Sequence, residues 1–138
     1  PADRQDAINM LNFLSGHTHQ VITAVSMQCK ETQFIHTFHE TTDVTFNKLD
    51  KQDILNYVNT DSPYDKAGSY GIQDMSAIFV SHIKGCYDNV VGFPLSRFYK
   101  EFEKNGYIIK DIINLIITSN YYFHAVSTIL INNTSLWY

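Results

Sequence analysis

The chain has few cysteines and no surplus of positive charge, and both shortages exclude classes of protein. Its 138 residues include two cysteines, Cys29 and Cys86, which are too few for a disulfide framework and favour free thiols in a reducing compartment. Its 10 basic residues are outnumbered by 14 acidic ones, giving a formal net charge of −4. The basic surface that binds duplex nucleic acid is therefore not expected. A bound nucleotide is still compatible with this charge, because a pocket needs only local positive charge.

The chain also lacks an initiator methionine and a recognisable signal peptide. It begins at Pro1, so we expect that processing or truncation has removed residues upstream. Without a secretory signal, a cytoplasmic protein is expected. An apolar content of 44% and a charged content of 17% are typical of a folded domain, and this length suffices for one core.

Hydrophobic periodicity predicts alternating helices and strands, and therefore an α/β fold. A helix is predicted over residues 2–14, with Asp3 as its N-cap and Gly16 in the left-handed position after its end. Two strands, over residues 19–27 and 34–46, are separated by a short polar turn and predict a β-hairpin.

Three further elements are predicted beyond the hairpin. A helix capped by Asp50 ends before Pro63, since the residue before proline disfavours helical geometry. A strand is predicted over residues 77–83. A last helix runs from Pro94 to Gly106, which acts as its stop.

Residues 107–138 differ from the rest of the chain in composition. They are rich in isoleucine, asparagine and tyrosine and carry no charge after Asp111. The uncharged run is long enough to raise the question of a membrane-spanning helix. Polar residues such as Asn120 and His124 interrupt it, so no membrane role is expected and the segment is interpreted as an atypical tail.

One segment, DKAGSYGIQ at residues 65–73, packs polar groups, two glycines and a lysine into what we call the central loop. Lys66 is a good point-charge partner for a phosphate, and Gly68 and Gly71 would let the backbone approach a ligand. The amide of Gln73 carries both a donor and an acceptor, which suits the edge of a nucleobase. Short glycine motifs are weak evidence, so a solvated glycine-rich turn is the alternative interpretation.

Other chemically active residues have simpler explanations. His36 and His39 lie on a predicted strand, where a spacing of three places them on opposite faces and not around one metal. Cys86 has no legible His–acid partner and is interpreted as a structural thiol. His17 and His19 follow a helix stop, where a solvated loop is expected. Catalytic residues are therefore unknown from these patterns.

The order of segments resembles that of the Maf (septum-formation) family. Five motifs carry the resemblance: LSGHTHQVITAV at 14–25, ETTDVTF at 40–46, ILNYV at 54–58, DKAGSYGIQ at 65–73 and GCYDNVVGFPL at 85–95. The resemblance is expected to be nearest to eukaryotic forms, such as the Maf-like domain of acetylserotonin O-methyltransferase-like proteins. Residues 1–106 are expected to form the C-terminal part of a Maf-like domain, with residues 107–138 as a tail outside the match.

The resemblance implies a fold and a reaction. The fold would be the inosine-triphosphatase-like α/β fold, with a mixed sheet flanked by helices and its N-terminal part missing. Members of the family are nucleoside triphosphate pyrophosphatases, which release a monophosphate and pyrophosphate with a divalent metal, and Mg²⁺ is the usual cation beside phosphates. By its match to the family's motif, Lys66 would serve phosphate binding or pocket electrostatics. Gln73 would serve base selectivity and resembles the branch that prefers dTTP and UTP. The expected partner is a nucleoside triphosphate, and a homodimer is left open.

Departures from the family's pattern leave a second function open. The family's SxSPRR phosphate-binding motif and its GADT segment, whose aspartate is taken as the general base, would both precede Pro1. Asp74 stands where a glycine usually follows the glutamine, and Cys86 where a serine is usual. The chain alone is therefore expected not to hydrolyse a nucleotide. The alternative function is a catalytically inactive nucleotide-binding or dimerisation module.

Overall fold

An antiparallel sheet forms the centre of the structure, a computed structural model that describes residues 1–29, 33–108, 110, 121–131 and 134–136, the last two ranges by backbone alone. Its five strands are β1 (Thr18–Cys29), β2 (Phe34–Phe46), β3 (Val80–Lys84), β4 (Tyr121–Ile131) and β5 (Thr134–Leu136). They lie in the order β3-β2-β1-β4-β5. Every pairing among these strands is antiparallel, so the expected mixed sheet is wrong for this part of the chain. Neighbouring strands here reverse direction, and none is reached by the crossover that a parallel pair requires.

The predicted β-hairpin is confirmed and is longer than expected on its first strand. β1 and β2 pair from Thr18 opposite Thr45 to Cys29 opposite Phe34. Alternate residues of β1, from His19 to Cys29, are buried, while the residues between them are exposed or half-buried. Only one face of β1 is therefore covered by the core. Residues 30–32 of the predicted polar turn lie outside the described residues.

Helices accompany the sheet over the described residues: α1 (Arg4–Leu14), α2 (Lys51–Val58), α3 (Tyr87–Val91) and α4 (Leu95–Lys104). The predicted caps of the first two are confirmed, since Asp3 accepts a hydrogen bond from the Asp6 amide and Asp50 from the Gln52 amide. Gly16 follows α1 with φ +73°, the left-handed conformation expected at that position.

The segment before β3 differs from its prediction. Residues Met75–Phe79 form a 3₁₀ turn instead of the start of a strand, because the Asp74 carboxylate caps that turn by accepting from the Ser76 amide. β3 then begins at Val80. Helix α3, only five residues long, was not predicted, since it is too short to show a helical period.

Two clusters of buried side chains pack on the covered face of the hairpin. One joins α1, α2 and the central loop to Val21 and Phe46. The other joins Phe98 and Phe102 of α4 to Val25 and neighbouring residues of the hairpin. Leu95 is 59% exposed because it opens the helix at the edge of this cluster.

Part of the predicted tail belongs to the sheet. β4 pairs with β1 from Leu130 opposite Gln20 to Tyr121 opposite Cys29, so β1 has a partner on both sides. Among the described residues, no helix has the length and hydropathy needed to cross a membrane. Residues 111–120, within the uncharged run, lie outside the described part of the chain.

His19 is buried within β1 and does not lie in a solvated loop as expected. Its Nε2 lies 2.8 Å from the Tyr70 hydroxyl oxygen, and the rings of Phe46 and Tyr70 meet it edge to face. Its Nδ1 has no hydrogen-bond partner among the described residues. Burial disfavours the charged imidazolium and lowers the pKa of His19 from 6.5 to about 4.

Acid is therefore expected to weaken the fold through His19. Because its pKa is lower in the folded chain than in the unfolded chain, the unfolded chain binds more protons between pH 6.5 and 4, and stability falls as the pH falls. At about 1.36 kcal/mol per pKa unit, the loss is about 3 kcal/mol. Denaturant titrations across this range measure it. His19→Gln should remove most of this pH dependence, whereas His82→Gln, at an exposed position, should retain it; equal slopes in the two variants would contradict the assignment.

Candidate functional site

Short 3₁₀ turns shape the central loop and its flanks: Ser62–Asp65, Ala67–Ser69 and Met75–Phe79. Gly68 and Ser69 both have positive φ, at +67° and +62°, and this left-handed pair reverses the chain. Ser69 is fully buried, and its hydroxyl lies 3.2 Å from the sulfur of Met10 in α1. Gly68 thus serves the backbone conformation and does not line a ligand space, contrary to its expected role.

The central loop, β1 and α3 enclose a cavity of about 350 Å³. Both predicted site residues, Lys66 and Gln73, line it, as do Gly71 and Asp74. Val21 of β1 and Val90 of α3 give it apolar walls. A concave space with apolar walls and a few polar groups is the usual form of a small-molecule site. The structure therefore brings together the residues that the sequence singled out.

Lys66 is held by oxygen atoms on several sides. Its Nζ donates to the Ser62 carbonyl oxygen at 2.7 Å and to Asp65 Oδ1 at 2.6 Å. Asp74 Oδ2 lies 3.8 Å from the same ammonium. The hydrogen bond to Asp65 is the main reason why the pKa of Lys66 is raised, so the side chain is charged at neutral pH. Its charge is already compensated within the loop.

The Asp74 carboxylate is the most heavily hydrogen-bonded acid of the site. It accepts from the Ser62 hydroxyl at 2.6 Å and from the Ser76 amide at 2.7 Å. It also accepts from the Ser76 hydroxyl and, at 3.2 Å, from the Tyr57 hydroxyl of α2. Burial alone would raise the pKa of Asp74, but these hydrogen bonds outweigh it and lower the pKa below its ordinary value.

Gly71 is the position at which the backbone makes room for Lys66. A Cβ at residue 71 would lie 2.8 Å from Lys66 Cε and 2.9 Å from Asp74 Oδ2, closer than carbon and oxygen atoms normally approach. The missing side chain lets the lysine stem lie against the loop. This is a close-approach role, although the approaching group is a side chain of the same loop.

Gln73 is displayed between two fixed points of the chain. On one side Tyr70 is anchored to His19 in β1, and on the other Asp74 is anchored to α2 and the Ser76 turn. The Gln73 side chain is exposed, and its amide has no hydrogen-bond partner in the described part of the chain. It is thus free to pair with a ligand in the cavity.

Asn89 also lines the cavity and was not singled out from the sequence. It is fully buried, and its Nδ2 donates to the Val21 carbonyl oxygen at 2.9 Å and to Thr42 Oγ1 at 3.1 Å. Its Oδ1 has no hydrogen-bond partner among the described residues. The position of Asn89 directly before Val90 and Val91 was the available signal in the sequence. Its hydrogen-bond partners on β1 and β2 are remote in sequence.

The simpler explanations for His36, His39 and Cys86 agree with the structure. His36 lies on the half-buried face of β2 and contacts Glu101 at 3.2 Å, while His39 lies on the opposite, exposed face. Cys86 exchanges two hydrogen bonds with Thr42 through its backbone, and its thiol has no His or acid partner among the described residues. That part of the chain also contains no group of three His, Cys, Asp or Glu side chains that could hold a metal ion.

Replacing Asp74 by asparagine is expected to loosen the loop. Asp74→Asn removes the charge that strengthens several hydrogen bonds, and a loss of about 1–3 kcal/mol in unfolding free energy is expected at pH 7. Since the pKa of Asp74 is lowered by folding, its contribution is present above the unfolded value and disappears as the pH falls through the folded value. Urea titrations at pH 7 and pH 3 measure this difference. Asp61→Asn is the matched control, because Asp61 is exposed in the same segment and its side chain makes no cap; an equal effect of the two substitutions would contradict the role of Asp74.

Comparison with known proteins identifies the family to which this loop and cavity belong. The family model described as Maf-like protein matches residues 1–105. A dTTP/UTP pyrophosphatase of Chlorobium phaeovibrioides is 49% identical over 107 residues, covering 75% of this chain and 53% of that protein. A dTTP/UTP pyrophosphatase of Bacillus cytotoxicus is 48% identical over 104 residues, with the same two coverages. One from Carboxydothermus hydrogenoformans is 43% identical over 107 residues, covering 78% of this chain and 58% of that protein.

The chain thus spans between half and three fifths of the length of these relatives. The family match nevertheless covers most of the chain and includes every residue that lines the cavity. The chain belongs to the Maf-like family.

Proposed function

We propose that the protein containing this chain is a nucleoside triphosphate pyrophosphatase that acts on dTTP and UTP and releases the nucleoside monophosphate and pyrophosphate. Its role would be a house-cleaning one, the removal of nucleotides from the cellular pool. The observation that carries the proposal is the cavity, which is lined by Lys66, by Gln73 with its unpartnered amide and by apolar side chains. The similarity to proteins named dTTP/UTP pyrophosphatase supports it. Because the chain spans only part of those relatives, the reaction is proposed for the whole protein.

Gln73 is proposed to select the pyrimidine base. Thymine and uracil present an imide edge, with an N–H donor between two carbonyl acceptors, and a primary amide can both accept and donate along such an edge. The apolar walls at Val21 and Val90 would shield the flat ring from water. An edge-specific contact of this kind discriminates strongly, because a wrong base leaves polar groups unpaired.

Lys66 is proposed to serve phosphate binding or the electrostatics of the pocket. Its ammonium is the single cationic group among the described residues that line the cavity. Charged groups fixed before the substrate arrives stabilise phosphate charge without reorganisation. Its contacts to Ser62 and Asp65 fix that position.

A divalent cation, Mg²⁺ in our proposal, would neutralise phosphate charge when the nucleotide is bound. The described residues do not offer it a protein cage: no group of three suitable side chains is present, and the carboxylates of Asp65 and Asp74 already face Lys66. Mg²⁺ commonly keeps several waters and binds through substrate phosphates. No step of the proposed reaction is assigned to the metal.

A catalytically inactive nucleotide-binding or dimerisation module is the second candidate. The observation that favours it is that the cavity offers no clear general base, since Asp65 and Asp74 are both paired with Lys66. The first proposal includes four further expectations. They are the inosine-triphosphatase-like fold, a cytoplasmic location, a homodimer and a likeness to eukaryotic Maf-like domains.

If Gln73 selects the base, its substitution should change the nucleotide preference of the enzyme without abolishing activity. In the protein containing this chain, Gln73→Glu should lower kcat/KM for dTTP and UTP by about tenfold or more relative to GTP, because a carboxylate cannot donate to a carbonyl of the imide edge. Pyrophosphate release from the three nucleotides with Mg²⁺ measures the ratios. The control is Gln52→Glu, because Gln52 is an exposed residue of α2 that does not line the cavity. Unchanged ratios in Gln73→Glu would exclude base selection by this residue, and absence of pyrophosphate release from the unmodified protein would favour the inactive module.

A further inference from the structure

We propose that the cavity receives the uncharged base and sugar of the nucleotide, and that Asp74 is the residue that keeps the phosphates outside it. This inference rests on the proposed function and concerns which part of the nucleotide the cavity holds. It assigns to Asp74 a specificity-determining role and makes Lys66 part of the pocket's electrostatics and not a phosphate ligand.

The charges that line the cavity favour a neutral occupant. Among the residues that line it, only Asp65, Lys66 and Asp74 are charged. Two carboxylates and one ammonium leave the cavity with a formal charge of −1. A phosphate brought into this space would meet net repulsion, which is strong where protein walls lower the local dielectric constant.

Most of the hydrogen-bonding capacity of the Lys66 ammonium is used within the loop. Two of its donors are used by the Ser62 carbonyl and by Asp65, at 2.7 and 2.6 Å. The Asp74 carboxylate, at 3.8 Å, completes the set of oxygens around it. A phosphate that approached the remaining N–H of Lys66 would come close to both carboxylates.

Asp65 and Asp74 differ in how easily their carboxylates could move away from Lys66. The Asp65 side chain is 79% exposed and can turn into solvent. The Asp74 side chain is 23% exposed and is held by Ser62, Ser76 and Tyr57. Asp74 is therefore a fixed negative charge, and it stands directly after the residue proposed to read the base.

The remaining surface of the cavity suits a nucleoside. Val21, Ile72 and Val90 are apolar, and the Gln73 amide and Asn89 Oδ1 are polar groups without a hydrogen-bond partner among the described residues. These groups can cover a flat ring and pair with its edge, as pockets for small ligands usually do. The triphosphate would extend away from Asp74 towards solvent or towards residues outside this cavity.

Binding of thymidine and dTMP to the 138-residue chain tests the inference directly. Isothermal titration in EDTA, which removes divalent metal, isolates the contribution of the phosphate. For the unmodified chain, the two dissociation constants should agree within about threefold. Asp74→Asn should strengthen dTMP binding relative to thymidine by about fivefold or more, since one nearby negative charge is removed, while the affinity for thymidine changes little.

Two further variants separate charge from structure. Asp65→Asn removes an exposed charge from the same ammonium and should also favour dTMP, without the loss of loop hydrogen bonds that Asp74→Asn entails. Asp61→Asn removes a charge from the same segment but does not line the cavity, and it should change the dTMP-to-thymidine ratio by less than about twofold.

The outcomes distinguish this inference from the proposed function. Binding of dTMP more than tenfold tighter than thymidine by the unmodified chain, with thymidine preferred over deoxyguanosine, would overturn the inference and leave the proposed function standing. An equal ratio in Asp74→Asn and Asp61→Asn would also overturn the inference. Failure of the folded chain to prefer thymidine over deoxyguanosine would overturn both the inference and the base-selective role proposed for Gln73.

Discussion

The hydrogen bonds of the Asp74 carboxylate are the interaction on which the geometry of the candidate site depends. Through Tyr57 they reach α2, through Ser62 they reach the turn that also holds Lys66, and through Ser76 they start the turn that leads into β3. Charge-assisted hydrogen bonds are stronger than neutral ones, and one carboxylate here orders three neighbouring segments. The loop is therefore organised by a polar centre, whereas the sheet below it is organised by apolar packing.

The second support of the loop comes from the buried face of β1. The contact between His19 and Tyr70 fixes the middle of the loop to the sheet, and Phe46 packs against both rings. Between Tyr70 and Asp74 lie only Gly71, Ile72 and Gln73, which makes this stretch short and fixed at both ends. The backbone at Gln73 is therefore held in place before a ligand binds, and such preorganisation favours selective recognition.

The sequence predicted local elements well because their signals are local. The caps at Asp3 and Asp50 and the alternation in both strands of the hairpin depend on residues a few positions apart, and these elements are confirmed. The strand expected to start at residue 77 was displaced by a side-chain cap, and the buried state of His19 depends on partners far along the chain. Lys66 and Gln73 were placed in one loop from their motif, but the contacts of Asp74 with Tyr57 and of Asn89 with Val21 are tertiary. No spacing rule reports such contacts, so the structural roles of these two residues emerged only from the structure.

The state of the Asp74 carboxyl group tests this account most directly. Titration of its side-chain carbon resonance by NMR in the folded chain reads the pKa without altering the site, and assignment is secured by the loss of that resonance in Asp74→Asn. The hydrogen-bonded arrangement predicts a pKa clearly below the ordinary value for aspartate, about 3.9. A value at or above the ordinary one would mean that burial outweighs the hydrogen bonds, and the carboxylate could not then be the centre that holds the loop.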